Sequence, residues 1–279
     1  RILSMQGRKI WKVSIFFLTC AMCNCTEWAV VPLLDSHQPR HFPFKIWMPL
    51  NPAKSLDYGI GYTYQMSTVY TSPMLYIAID FITLSTISFA SGQIKIIVHK
   101  LREIKSIPFS DSLNIVASQE LIRNNNKILN DCICQHQAVI GFVKLVEHMF
   151  NVNIFFQMSG TVAIICIIGL SITSETPNTF HFYSSLNYLV FMLAQLYMYC
   201  WCGNELTAKS EMLRDELYMC PWYEQDIRFK KTLYIAMEAM KRPIVFRAGF
   251  YIPLSRPTFV SILRCSYSYF AVLNQASNK

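Results

Sequence analysis

The sequence predicts an all-α fold: an integral membrane helical bundle with a long cytosolic helical extension. Three observations carry this. Of 279 residues, 53% are hydrophobic and only 15% charged, where an ordinary soluble domain carries about 25% charged residues. The mean hydropathy is positive, at +0.28. The apolar residues also fall in blocks long enough to span a bilayer, with Lys and Arg clustered at the block ends, as happens where a chain leaves lipid for cytosol.

A crossing needs about 20 mainly apolar residues, and five blocks supply them. The first runs from Ile10 to Leu34, with Lys12 near its start and Glu27 as an unwelcome charge towards its end. Its sequon, Asn24-Cys25-Thr26, lies too deep in such a span to be glycosylated. The second runs from Thr63 to Ser91 and holds Asp80 near its middle. A charge there costs roughly 2.5–3.5 kcal/mol on insertion scales, so Asp80 is expected to face the bundle and meet a hydroxyl or a basic group. The third, Asn151 to Ile172, contains VAIICIIGLSI, the cleanest apolar run in the chain. The fourth runs from Phe182 to Cys202. The last, Thr258 to Gln275, is polar for a lipid-facing helix, with Arg264 and several serines and tyrosines.

The Lys/Arg bias of short loops orients the bundle. Arg1, Arg8 and Lys9 precede the first span; Lys95, Lys100, Arg102 and Lys105 follow the second; SETPNTF, between the third and fourth, has no basic residue. The start of the chain is therefore expected in the cytosol and the C-terminus outside. Arg40, Lys45 and Lys54, in the loop 35–62, are the exception. Two cytosolic stretches, 106–150 and 203–250, are expected to form anchor helices that pack on each other below the membrane. In the first, Leu121, Ile128, Ile133 and Val139 recur at helical spacing and lead into the third span. In the second, charges alternate with Met212, Leu213 and Leu217, and Arg228–Met240 continues the amphipathic pattern. Pro253 and Pro257 break the chain before the last span. Residues 1–279 read as a single transmembrane domain, and a start at Arg1 with no signal peptide is expected of an N-terminally truncated chain.

Several function classes are set aside. The net charge of +8 is spread along the flanks of apolar blocks, without the basic, aromatic-interleaved stripe of a nucleic-acid site, so no nucleic-acid partner is expected. The basic flanks suit membrane lipid. Cys20, Cys23 and Cys25 sit close together, but no second pair at metal spacing and no nearby His accompanies them; all ten cysteines read as free thiols. There is no Gly-rich phosphate loop, no His-Glu-x-x-His and no nucleophile with a base, so neither an enzyme nor a cofactor is expected.

Four patterns in order carry a resemblance. HFPFKIWMPL (His41–Leu50) resembles a "LPF-x-x-W-x-P" outer loop. CICQHQAVIGFVKLVEHMF (Cys132–Phe150), with His136, resembles a "I-x-x-H-x-x-I" run. YCWCGNEL, then Ser210, Leu217-Tyr218 and Pro221-Trp222-Tyr223, resembles the exit of a sixth span. FRAGFYIPLSRPTFVSILRCSYSYFAVLNQ resembles a seventh span and its approach. Together, from Pro43 to Gln275, these resemble the insect odorant receptor family. The final helix is also similar to a looser signature shared with gustatory receptors, with Ser268-Tyr269 for Thr-Tyr and Gln275 for its Gln, while Ala276 replaces the Phe.

That resemblance implies a seven-span receptor with a cytosolic N-terminus, whose third to seventh spans match the five here and whose first two would lie upstream of Arg1. It implies an odorant-gated, non-selective cation channel: a heterotetramer of odour-tuned subunits with a shared co-receptor, in the plasma membrane of olfactory sensory neurons. By depth and residue type, Trp28, Tyr70, Met74, Ile77, Tyr188 and Phe191 would line a mostly apolar site for a small volatile odorant, though each one taken singly reads first as ordinary helix packing. Val272 and Ala276, with Gln275 between them, match the family's pore constriction, where apolar side chains block ions by dewetting. Asp80, His136 and Tyr269 would have structural or gating roles. A gustatory-type channel, a G-protein-coupled receptor and a transporter are the alternatives; co-receptor dependence separates the first, and the side of the membrane holding the tail separates the second.

Overall fold

The computed structural model describes residues 2–34, 42, 44, 46–49, 55–107, 115–174 and 180–277. Helices α1 (Ile2–Leu34), α2 (Ser55–Leu101), α3 (Ile115–Ser174), α4 (Phe180–Met219), α5 (Ile227–Ala239) and α6 (Arg256–Ser277) account for most of it, with a 3-10 turn at Trp222–Glu224. A short antiparallel hairpin, β1 (Arg247–Ala248) and β2 (Ile252–Pro253), pairs Ala248 with Ile252. Each expected span lies within one helix, and α2, α3 and α4 run well past theirs. Among the described residues, α2 over Leu56–Leu101 and α3 over Ser118–Thr173 are long and apolar enough to cross a membrane. α4 and α6 are more polar, with Asn187 and Gln195 in α4 and Arg264 in α6.

The chain forms two compact units: Arg1–Arg8, Thr83–Ser159 and Tyr197–Ile262 make the first, and Lys9–Ile82, Gly160–Leu196 and Leu263–Lys279 the second.

The first unit is a helical bundle with a regular seam. The seam comprises, among the buried residues, Ile87, Ala90, Ile94, Ile97 and Leu101 on α2 and Leu129, Cys132, His136, Val139, Val143 and Val146 on α3. On α4 it takes in Leu206, Ser210, Leu213 and Leu217, and on α5 Phe229, Leu233 and Ala236, continued by Met240 at its C-cap. Each set alternates steps of three and four, which keeps one narrow stripe of every helix turned inward. Leu121, Ile128 and Ile133, expected to mark the buried face of α3, are only half-buried. Ile128 and Ile133 are five residues apart, so they cannot share a face; the seam runs one residue on from Ile128, at Leu129.

Three details depart from the expected anchor helices. The first begins at Ile115, not Ser106; Ser106 and Ile107 lie outside any helix, and the residue before Pro108 is disfavoured in helical geometry. The stretch 203–250 is not helical throughout. α4 stops at Met219, before Pro221, which lacks the amide a helix needs. α5 then starts from Asp226, whose side chain accepts from the Phe229 amide at 3.2 Å, an ordinary N-cap. Past α5, Arg247–Ala248 at the end of the stretch form the first strand of the hairpin. As expected, Pro257 stands at a break before the last helix: it occupies the first turn of α6, where no amide is missed, and Ser255 Oγ caps that turn from the Thr258 amide at 3.3 Å.

Polar ties fix the register of this bundle. Asn125 Nδ2 donates to Gln225 Oε1 at 3.0 Å and to the Lys105 carbonyl at 2.8 Å, and Asn126 Nδ2 to Asp226 Oδ1 at 3.0 Å. Lys100 Nζ donates to Gln135 Oε1, whose own amide donates to Gln93 Oε1, each at 3.0 Å. Arg102 grips both oxygens of Glu216 and holds that carboxyl below its usual range. At Gly203 the backbone of α4 meets Leu254: a Cβ there would lie 2.4 Å from the Leu254 carbonyl oxygen, so only glycine allows this approach.

Burial lowers the His136 imidazole below its ordinary value, of about 6.5. The unfolded chain therefore takes up that proton first as the solution is acidified. The stability tied to neutral His136 is complete above pH ~6.5 and is lost as pH falls through the window below it. Thermal unfolding followed between pH 8 and 5 should show a slope in the parent that His136→Gln removes. Parallel profiles would refute a buried neutral imidazole. Among the described residues its ring has no hydrogen-bond partner, and its place is a core position on α3.

Candidate functional site

The second unit holds every residue expected to line a small-molecule site or a pore. Its organising stripe is on α4. Ser184, Tyr188, Phe191 and Gln195 recur at steps of four, three and four, so they share one face. Ser184 is buried and the other three half-buried. Phe191 meets Phe17 of α1 with ring centroids 5.6 Å apart. Gln195 donates from Nε2 to Asp80 Oδ2 on α2. Just beside the stripe, Asn187 Nδ2 donates to Asn24 Oδ1 at 2.9 Å, and Asn24 Nδ2 donates to the Cys20 carbonyl at 3.1 Å. Asn24 is thus a buried structural amide, committed to a neighbouring helix.

Asp80 faces inward, as its depth requires. One of its partners is the Gln195 carboxamide. Gln195 suits a low-dielectric interior because it supplies a donor without a second charge to desolvate.

The remaining ties of this unit join α1 to α2. Tyr62 donates its hydroxyl to the Ala29 carbonyl at 2.9 Å, and the buried Cys25 thiol donates to the Val69 carbonyl at 3.5 Å. Gln65 clamps the chain ahead of α2: it accepts from the Phe44 amide and donates to the Phe44 carbonyl, both at 3.1 Å. Phe42 stacks on Tyr58, and Tyr58 on Tyr62. Cys23 is exposed while Cys25 is buried, so the closely spaced cysteines of α1 point different ways.

Tyr70, Met74 and Ile77 share one face of α2. Tyr70 and Ile77 are half-buried, whereas Met74 is exposed. The side chain of Trp28 lies outside the described residues, as does that of Ala276. On α6, Ser266 and Phe270 turn inward: the Cys166 thiol donates to the Ser266 carbonyl at 3.4 Å, and Phe270 lies against Gly169. Ser268, Val272 and Gln275, at steps of four and three, lie on the opposite, exposed side, with Val272 64% exposed. Tyr269 is exposed beside them.

This arrangement offers half-buried aromatic surface, with the amides of Asn24, Asn187 and Gln195 and the Tyr62 hydroxyl engaged in bonds between helices. Shape and dispersion are what it can give a small apolar molecule. Phe17, Asn187 and Gln195 belong to it and were not singled out from the sequence, and Asn24 was read there only as part of a sequon. The four-three-four recurrence through Tyr188 and Phe191 was the signal that could have found Gln195.

Several known proteins are similar to this chain in sequence or in fold. Residues 2–267 match the model of the family described as 7tm Odorant receptor. The chain is 22% identical over 293 residues to Odorant receptor Or1 of Anopheles gambiae, covering 99% of this chain and 69% of that protein. It is 25% identical over 238 residues to Odorant receptor 94a of Drosophila melanogaster, covering 85% of this chain and 58% of that one. The fold is similar to that of the insect olfactory receptor OR5 from Machilis hrabei in complex with eugenol, with a TM-score of 0.78 at 12% identity, covering 99% of this chain and 68% of the other. The chain thus spans roughly three-fifths to two-thirds of the length of such relatives.

Proposed function

This chain belongs to the 7tm odorant receptor family, and on that premise we propose that it binds a small volatile odorant and lines a non-selective cation channel opened by it. The family is one of membrane receptors and not an enzyme class. The observation that carries the reading is the α4 stripe in the second unit. Tyr188 and Phe191 present half-buried aromatic surface, flanked by Phe17 of α1 and by the polar ties at Asn187 and Gln195. Tyr70, Ile77, Met74 and Trp28 complete the proposed lining from α2 and α1.

The exposed face of α6 supports a pore. Ser268, Val272 and Gln275 turn away from the chain's own helices, which leaves them for water or another subunit. Val272 and Ala276 would form an apolar constriction that opens by wetting when α6 moves outward. The other subunits would be a shared co-receptor in a heterotetramer, joined through the anchor helices α3, α4 and α5. The plasma membrane of olfactory sensory neurons, with the C-terminus outside, is the proposed location.

Co-expressed with the co-receptor in cells lacking both, the chain should give odour-evoked cation current. Phe191→Ala should raise the half-maximal odorant concentration several-fold at unchanged surface abundance. Current without the co-receptor would point instead to the gustatory-type arrangement. An unchanged concentration dependence in Phe191→Ala and Tyr188→Ala together would remove the α4 stripe from the binding site.

A further inference from the structure

We propose that the hairpin tip Gly249–Phe250–Tyr251, beside the start of α6, is an interfacial anchor whose aromatic pair inserts at the headgroup–acyl boundary of a phospholipid bilayer. The proposal rests on the membrane reading above. The first unit contains a level at which several elements change from charged to uncharged together. α3 carries Lys144 and Glu147, then no Asp, Glu, Lys or Arg from Met149 to Ser174. α4 carries none from Phe180 to Asn204, and Trp201 stands just inside that limit. α6 opens with Arg256, whose guanidinium lies 4.4 Å over the Trp201 ring. Trp and Tyr concentrate where a membrane meets water, with basic side chains reaching for phosphate.

The hairpin is fastened to this level. The Gly249 amide donates to the Asn151 carbonyl at 3.1 Å, and the Arg247 amide to Glu147 Oε1 at 3.1 Å. Gly249 presses so closely on Phe155 that a Cβ would come within 2.6 Å of its ring. Both central residues of the turn have positive φ, 58° at Gly249 and 66° at Phe250. Glycine adopts that geometry freely, but a phenylalanine there is strained. The turn therefore holds a bulky aromatic in an unfavourable backbone state, yet Phe250 is 55% exposed and Tyr251 87% exposed. Packing within the chain does not account for these two side chains.

Lipid does. On α3, Leu145, Met149, Val152 and Phe156 recur at steps of four, three and four, and all four are exposed. This apolar stripe begins at the same turn of helix to which the hairpin is bonded. Arg247 and Arg256, both exposed, bracket the aromatic pair and match the charge of acidic headgroups. An anchor six residues from the first turn of α6 would fix the depth at which that helix starts.

The test places photoreactive benzoylphenylalanine at position 251 of the full chain in vesicles of phosphatidylcholine and phosphatidylserine. Controls carry it at Tyr234, on the exposed face of α5, or at Ile167, exposed in the uncharged part of α3. Lipid adducts at position 251 should exceed those at 234 several-fold. Adducts with a second copy of the chain, or lipid labelling no stronger than at 234, overturn the anchor. If Ile167 labels lipid and position 251 does not, the anchor alone fails. If neither labels, the membrane reading fails with it.

Discussion

Phe229→Ala is expected to destabilise the anchor bundle by about 3–5 kcal/mol, the range for deleting a buried aromatic ring. Phe229 is fully buried and stands at the first inward position of α5. Its amide is also the one capped by Asp226, which in turn is held by Asn126 of α3. The ring therefore sits where the α4–α5 turn is pinned to α3, and little can collapse into the space it leaves. Unfolding of the full chain in nanodiscs, followed by far-ultraviolet circular dichroism, reads the loss. Ile235→Ala, on the exposed face of the same helix, should stay within about 0.5 kcal/mol of the parent. Similar losses in the two variants would mean that the heptad seam is not the core of this unit.

Gln195→Leu should cost about 1–3 kcal/mol, because it leaves the buried Asp80 carboxyl without one of its donors. An ionised carboxylate would bring the cost nearer 3–5 kcal/mol, the price of stranding one partner of a buried charged interaction. Asp80→Leu alone removes the charge but strands the Gln195 amide. Asp80→Leu with Gln195→Leu replaces both by apolar groups, so the double variant should lose clearly less than the sum of the singles. A double-mutant cycle on unfolding in nanodiscs gives that coupling directly. Additive losses would show that the two side chains do not depend on each other.

Much of this molecule was legible before any coordinates. Composition and block length suffice for an all-helical membrane fold because lipid leaves a backbone few ways to satisfy its amides. The amphipathic pattern of Arg228–Met240, read within the longer stretch 203–250, nearly coincides with α5, and the depth of Asp80 foretold that it would be buried. Four short motifs in order carried the family.

What failed to be legible was pairing. Steps of three and four locate a buried stripe, but many near-equivalent stripes can be drawn on a long apolar helix. Leu121, Ile128 and Ile133 looked as inward as Leu129, Cys132 and His136 until the neighbouring helices decided between them. Gln195, which donates to Asp80, is far off in sequence, and the recurrence that places it on the α4 stripe does not say which helix it meets. The hairpin was missed because its strands have only two residues each, too few for any period to show.

Sequence by itself determined which segments are helical and which solvent they suit, since backbone bonding and transfer from water are local properties summed along the chain. Tertiary structure alone decided which face of each helix turns inward, which amide meets which carboxyl, and that Phe250 is held out in a strained turn. Those depend on distances between segments remote in the chain, which no short-range pattern encodes.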